Sequence, residues 1–329
     1  MKTGWKSLPL RHETLLLLVL VAEWLIFYFT GTTVKRGHTF GFGTFDSQFD
    51  ILRHSAEIGL LALVMTPVVL TGGIDLSVGS TLGLGAIVFG LLWQSVGLPP
   101  WLAAIGAIGL GGLAGGLNAT LITRLRLPPL IVTLGTFSLY RGLAEAITQG
   151  SITYTGFPAS VLALGQGRLL ALPTQVWVLV LVAVGAWLLV HRTTLGRSFR
   201  AIGLAPEGAR YAGLPVERRV ALAYILAGLI AGLAGVIYTA RLGQARADAG
   251  TGYELAAITA VVLGGTSIFG GTGSIHGTLL GVAAIAVLNN GLIHTGIPRE
   301  WAGILTGALL LIALTASAAA KALAKRRGM

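Results

Sequence analysis

The sequence predicts an all-α protein: one polytopic transmembrane bundle of about ten spans over residues 1–329, with both termini on the cytoplasmic side. Three observations predict it. Hydrophobic residues make up 54% of the chain and charged residues only 11%, where a soluble domain carries about 25% charge; mean hydropathy is +0.81. The apolar residues gather into runs close to the ~20 residues that cross a bilayer. Glycine, at 48 residues of 329, is about double its ~7% average and sits inside those runs, where small residues let helices approach in lipid.

The chain opens on basic residues and a long apolar run interrupted by Glu23, without a small-residue cleavage site, which predicts an uncleaved first span at 13–30. Further spans are expected at 54–71, 75–95, 101–123, 130–149, 175–191, 220–240, 254–271, 276–293 and 299–318. A cytoplasmic N-terminus puts 15 of the 23 Lys and Arg inside: Lys2, Lys6, Arg11, Arg124, Arg126, Arg192, Arg197, Arg200, Arg210, Arg218, Arg219, Lys321, Lys325, Arg326 and Arg327. The net charge of +11 therefore flanks spans and forms no patch for nucleic acid. With no cysteine, disulfides, thiolate catalysis and thiolate metal sites are excluded.

The pairs Gly79/Gly83, Gly112/Gly116, Gly228/Gly232, Gly277/Gly281 and Gly303/Gly307 have the small-xxx-small spacing of close helix packing. The second and eighth spans are short, end in glycine clusters and are open to being broken or re-entrant. "VVLTGGIDLSVGSTLGLG" from Val68 and "VVLGGTSIFGGTGSIHGTLLG" from Val261 echo each other, either as remnants of a repeat or through glycine enrichment alone. In the first, Gly72 and Gly73 turn the chain. Asp75 then stands as an N-cap for Ser77 or Val78, with substrate contact as the alternative role.

The longest inside loop, 192–219, carries six arginines. Its centre predicts a short helix from Pro206, with Glu207 at the positive end and a stop at Gly213 and Pro215. A helix this short is not stable alone and must dock on its own spans, on lipid or on a partner.

The stretches "LTGGIDLSVGS" (70–80), "PPLIVTLGTFSLYRGLA" (128–144), "AIGLAPEGARYAGLPVERR" (201–219) and "ITAVVLGGTSIFGGTGSIHGTLLG" (258–281) resemble the membrane permeases of ATP-binding-cassette importers for ribose, xylose, rhamnose and the autoinducer-2 furanose. The resemblance implies a permease in the bacterial inner membrane that works with a second permease chain, a cytoplasmic ATPase and an extracytoplasmic sugar-binding protein. It also implies an ATPase-coupling helix formed here by Gly203, Pro206, Glu207, Ala209, Arg210 and Gly213. Leu204, Ala205 and Gly208 depart from the family's usual residues, leaving the matching ATPase open. No Gly-Lys dipeptide exists, so no P-loop is encoded. ATP and magnesium are expected on the partner, and no cofactor or metal on this chain.

Ionisable groups inside spans mark functional sites by default. Arg141 and Glu145 are spaced to neutralise each other, with sugar contact as the alternative. Glu57 and Glu254 lie near span ends, where water solvates them. Asn118, Asn289 and Asn290 suit sugar hydroxyls or helix–helix bonding equally. His276 and His294 lack the neighbours of a metal site. The tentative substrate path is thus Asp75, Asn118, Arg141, Asn289 and Asn290. Other readings are an intramembrane transferase, which would need clustered carboxylates or histidines that are absent, an autonomous secondary transporter, and a permease for branched-chain amino acids.

Overall fold

The computed structural model describes residues 12–35, 38–297 and 300–327. Lys2, Lys6, Arg11, Arg36 and Arg299, part of the charge argument, lie outside them. The chain forms a helical bundle: α1 (His12–Gly31), α2 (Phe45–Leu70), α3 (Val78–Gln94), α4 (Pro100–Thr123), α5 (Pro129–Ile147), α6 (Ala159–Gln166), α7 (Thr174–Trp187) with a π-helical turn Leu188–Arg192, α8 (Thr194–Leu204), α9 (Pro206–Tyr211), α10 (Val216–Leu242), α11 (Tyr253–Leu263), α12 (Ile275–His294) and α13 (Glu300–Arg327). Two small antiparallel hairpins, β1–β2 (Thr32–Lys35 and His38–Gly41) and β3–β4 (Arg168–Leu169 and Leu172–Pro173), sit in the connections after α1 and α6.

Local chemistry sets the helix starts. Thr44 Oγ1 accepts the Ser47 N–H at the head of α2, and Ser274 Oγ accepts the Gly277 N–H at the head of α12. Pro100 and Pro129 open α4 and α5, where a missing N–H costs nothing. Gly243, at φ 68°, ends α10 in the left-handed conformation.

Among the described residues, seven helices are long and apolar enough to cross a membrane: α1, α2, α4, α5, α7 with its π turn, α10 and α12. Val78–Gln94, Tyr253–Leu263 and Trp301–Thr315 are shorter apolar helices at the third, eighth and tenth expected spans. The second span, expected to be weak, is instead a helix of 26 residues, the most enclosed of the long helices. The eighth was expected over 254–271, yet α11 stops at Leu263 after 11 residues. At 1.5 Å per residue that is about 16 Å, half of the ~30 Å hydrocarbon thickness.

The missing half of that crossing is residues 243–252, which fold back into the bundle. Tyr154 and Ala245 pair through N–H···O bonds of 3.1 and 2.9 Å. Beyond that single bridge the chain turns through 247–252, so that Gly250 lies on Gly79 and Ala249 on Gly83, with no room for a side chain at either glycine of α3. Non-helical backbone at this depth exposes carbonyls that lipid cannot satisfy. Arg141 of α5 satisfies two of them: its Nη1 donates to the carbonyls of Ala247 and, at 2.9 Å, Ala249. The expected pairing of Arg141 with Glu145 is absent, and Glu145 is exposed.

The tightest helix contact is between α4 and α10. A methyl group on Gly111 or Gly115 would strike the backbone at Gly228 and Tyr224, and one on Gly232 the backbone at Ala107 and Ile108. Close backbone approach replaces the hydrophobic drive that lipid removes. The expected pair was Gly112/Gly116, one position out of register: Gly112 meets only the Leu229 side chain and Gly116 faces open space. Gly303 and Gly307 likewise have nothing within 4 Å among the described residues.

Candidate functional site

One end of the bundle gathers the start of α1, the ends of α2, α7 and α11, the start of α12, and the loop carrying α8 and α9. His12 Nε2 lies 2.9 Å from the Leu263 carbonyl, Ser274 Oγ donates to Glu13 at 2.8 Å, and the Ile275 N–H donates to His191 Nε2 at 3.2 Å. Three backbone segments meet there without intervening side chains. The Gly271 N–H donates to the Leu70 carbonyl at 2.9 Å, and Gly203 of α8 lies against both groups. A methyl group on Gly203 would collide with the Leu70 carbonyl and the Gly271 nitrogen, and one on Gly270 with Gly203 and Gly72. Arg200, one turn earlier on α8, donates to the carbonyls of Val190 at 3.1 Å and Gly273 at 3.4 Å. The two glycine clusters that echo in sequence are thus in contact with each other and with the root of the loop carrying α8 and α9.

The helix expected from Pro206 to Gly213 is α9, which ends at Tyr211, with Gly213 at φ 78° and its N–H bonded to the Arg210 carbonyl. Ala209 anchors it in a small apolar cluster with Ile202 of α8 and Val216 of α10. Arg210 pairs with Glu207 and, at 3.0 Å, with Glu217. Those bonds raise its pKa, the hydrogen bond to Glu217 foremost. Arg210 therefore braces the loop from within. Two large apolar or aromatic side chains also face outward beside the exposed Glu207 and Arg210: Leu204 is 70% exposed and Tyr211 90%.

Asp75 lies in the break that follows the glycine junction. Its Oδ1 accepts the Ser77 N–H at 2.9 Å and the Ser77 Oγ–H at 2.6 Å. The helix starts later than expected, at Val78, so Asp75 closes a side-chain turn onto Ser77, the residue in the cap position. Asn118 of α4 donates to Ser77 Oγ at 2.8 Å, and Thr133 of α5 to the Ile74 carbonyl at 3.1 Å. Asp75 and Asn118, both 1% exposed, tie α3 to α4 and α5 and line no described cavity.

Glu57 and Glu254 are not solvated as expected. Glu57 is fully buried, and Arg241 of α10 grips it with Nε and Nη2 at 2.7 and 3.1 Å. Glu254, 7% exposed, takes the Gly252 N–H on Oε1, while Oε2 rests against Gly79 without a hydrogen-bond partner. His276 lies beside His191 and Trp187, with ring centroids 5.5 and 6.2 Å away. No group of three or more metal-binding side chains occurs among the described residues.

Asn289 and Asn290 occupy different ground. They line a cavity of about 390 Å³ between α2, α11, α12 and α13, towards the end of the bundle away from α9. A second cavity, of about 210 Å³, lies beside Arg241, Asp50 and Arg53 and shares His54 with the first. The expected path residues therefore divide into Asp75 and Asn118 at one break, Arg141 on the re-entrant stretch, and the asparagine pair on the cavity. Sequence reasoning missed the Glu57–Arg241 pair, Arg200 and His54. Partners 184 positions apart leave no local signal, and an arginine in an arginine-rich loop or a histidine near a span end looks solvated.

Residues 47–314 match a family described as the permease component of branched-chain amino acid transport systems. The ribose import permease protein RbsC of Escherichia coli (strain K12) is 40% identical over 277 residues, covering 83% of this chain and 86% of that protein. The autoinducer 2 import system permease protein LsrD of Escherichia coli O9:H4 (strain HS) is 40% identical over 260 residues, 78% of each chain. No solved structure matches. A bundle with an interrupted crossing, a docked helix outside the spans and this extent of similarity place the chain in that family of transport-system permeases, to which it belongs.

Proposed function

We propose that this chain is the membrane-spanning subunit of an ATP-binding-cassette importer and carries a monosaccharide or sugar-like molecule across the bacterial inner membrane. The carrying observation is similarity along most of the chain to permeases named for ribose and autoinducer 2. The end bearing α8 and α9 is assigned to the cytoplasm, since Arg192, Arg197, Arg200, Arg210, Arg218 and Arg219 gather there. A separate ATPase docks on α9: a helix of six residues held by one buried alanine offers Leu204 and Tyr211 outward, apolar anchors of the kind that dominate interfaces. A second permease chain and an extracytoplasmic sugar-binding protein complete the importer.

ATPase closure acts on α9, and α8 conveys the displacement through Gly203 to the Leu70 and Gly271 segments together. The test is uptake of labelled ribose into proteoliposomes containing this chain with its ATPase and binding protein. Uptake that requires ATP and all components is expected. Uptake by the chain alone would sink the proposal, and leucine uptake in place of ribose would move it to amino acids.

A further inference from the structure

We propose that the 390 Å³ cavity beside Asn289 and Asn290 is a membrane-embedded binding station for a neutral polyol, one monosaccharide in transit. The inference rests on the importer reading above. Its volume falls within the ~300–1,000 Å³ range of small-molecule sites. Its position is set by the interrupted crossing: α11 begins at Tyr253, and its first turn, with Thr251 and Gly252 before it, forms one wall. A continuous helix in that place would fill the space with its outer half.

The chemistry of the lining selects the ligand. Among the described residues, no Asp, Glu, Lys or Arg lines the cavity, so a zwitterionic amino acid would lose its hydration there without gaining a carboxylate, ammonium or guanidinium partner from them, which is costly once buried. Sugar hydroxyls donate and accept, and the wall offers both through Asn289, Asn290, Thr251 and Thr306 among apolar side chains. Asn290, 9% exposed, is oriented from behind: its Oδ1 accepts the Ser47 Oγ–H at 2.8 Å. That bond turns Nδ2, which has no hydrogen-bond partner among the described residues, towards the cavity side. Gly303 and Gly307 of α13, where an added Cβ would meet nothing within 4 Å among the described residues, line the wall on the α13 side. There the absence of side chains leaves room for a ligand.

Cysteine accessibility tests this without background, because the chain has no cysteine. Thr306→Cys and Ala286→Cys are made in the transporter assembled with its ATPase in proteoliposomes. A charged methanethiosulfonate reagent is expected to modify both, and excess ribose to slow modification several-fold. Modification by a hydrophobic maleimide alone would show a lipid-filled space and overturn the proposal. Asn290→Leu is expected to lower ribose uptake roughly tenfold, the effect of about 1.4 kcal/mol, with ATPase association unchanged. Ser47→Ala, which removes only the supporting bond, is expected to lower it less; an equal loss would make Asn290 merely structural. Ribose uptake by the unsubstituted transporter, with cysteines at 306 and 286 that ribose does not protect in the two variants, would sink this site alone, whereas leucine uptake in place of ribose would sink the sugar reading itself.

Discussion

The Gly271 N–H donates to the Leu70 carbonyl at 2.9 Å, and that bond joins two segments whose sequences both run from Val-Val-Leu into a glycine cluster. A helix end at the membrane boundary leaves carbonyls unsatisfied, and here the second break satisfies the first. Gly203 packs on the bond itself, so the junction links the loop carrying α8 and α9 directly to both segments of the bundle.

Gly203→Ala should therefore do more than crowd the loop. The methyl group would push against backbone that cannot rotate away, with an expected stability loss of about 1–3 kcal/mol. Gly208→Ala in the neighbouring helix would meet only the Ala205 side chain, at 3.5 Å, and is expected to be neutral. Thermal unfolding in detergent compares them, and equal midpoints would refute the junction. The same pair tests transmission: ATP hydrolysed per ribose imported is expected to rise for Gly203→Ala alone.

The Glu57–Arg241 pair is buried between α2 and α10. Removing one partner strands the other charge, so Glu57→Gln and Arg241→Met are each expected to cost about 3–5 kcal/mol. The double variant Glu57→Leu/Arg241→Met is expected to recover most of the loss. A double variant as unstable as the sum of the singles would show that the two charges do not act as a pair.

Arg141 holds the re-entrant stretch by two carbonyls. Arg141→Met leaves both without a donor, at about 1–3 kcal/mol. The expected signature is local: faster amide exchange across residues 245–252, with α4 and α10 unchanged. Uniform acceleration through the bundle would contradict the clamp.

Asp75 is expected to act through structure. Asp75→Asn keeps an acceptor for Ser77 and is predicted to be near neutral, while Asp75→Ala should cost about 0.5–2 kcal/mol. Expression and ribose uptake are expected to fall together. Full expression with abolished uptake would instead assign the carboxylate to substrate.

The loop carrying α8 and α9 should respond to acid. The Glu217 carboxyl is held below its ordinary value of 4.5, first by its own backbone N–H and, among side chains, by Arg210. A depressed carboxylate contributes stability that is present above the unfolded pKa and lost as pH falls through the lower folded value. Amide exchange at 206–217, relative to intrinsic rates, is therefore expected to be flat between pH 6 and 8, a window chosen about two units above the carboxylate range, and to lose protection only in acid. High salt should weaken the same exposed bonds. Loss of protection near neutral pH would point to a different group.

Much of this was legible in the residues. Composition and run length placed α1, α4, α5 and α12 closely, because the hydrocarbon core imposes one length and one polarity on anything that crosses it; α2 begins at Phe45, well before its expected start at 54, and α13 runs to Arg327, past its expected end at 318. Pro206 and Gly213 marked α9 for local reasons: a fixed φ at the start and a left-handed residue at the stop. Asp75 was expected as an N-cap for Ser77 or Val78, and it takes the Ser77 N–H because a carboxylate two residues before an N–H reaches it without help from the rest of the fold.

What the tertiary structure decided is everything that rests on residues distant in sequence. The apolar run at 254–271 has the composition of a span. It stops at Leu263 because α12 and the Gly203 junction hold the 264–274 segment, while Arg141, more than a hundred positions away, satisfies the carbonyls of the stretch that replaces its outer half. Likewise Glu57 looked solvated until α10 brought Arg241 to it, and the asparagine pair had no cavity until α2, α11, α12 and α13 packed around it. Hydropathy records the solvent a segment must tolerate, which is a property of each run by itself. Whether that segment crosses, breaks or folds back depends on which buried donors and acceptors meet, and only the packed bundle brings them together.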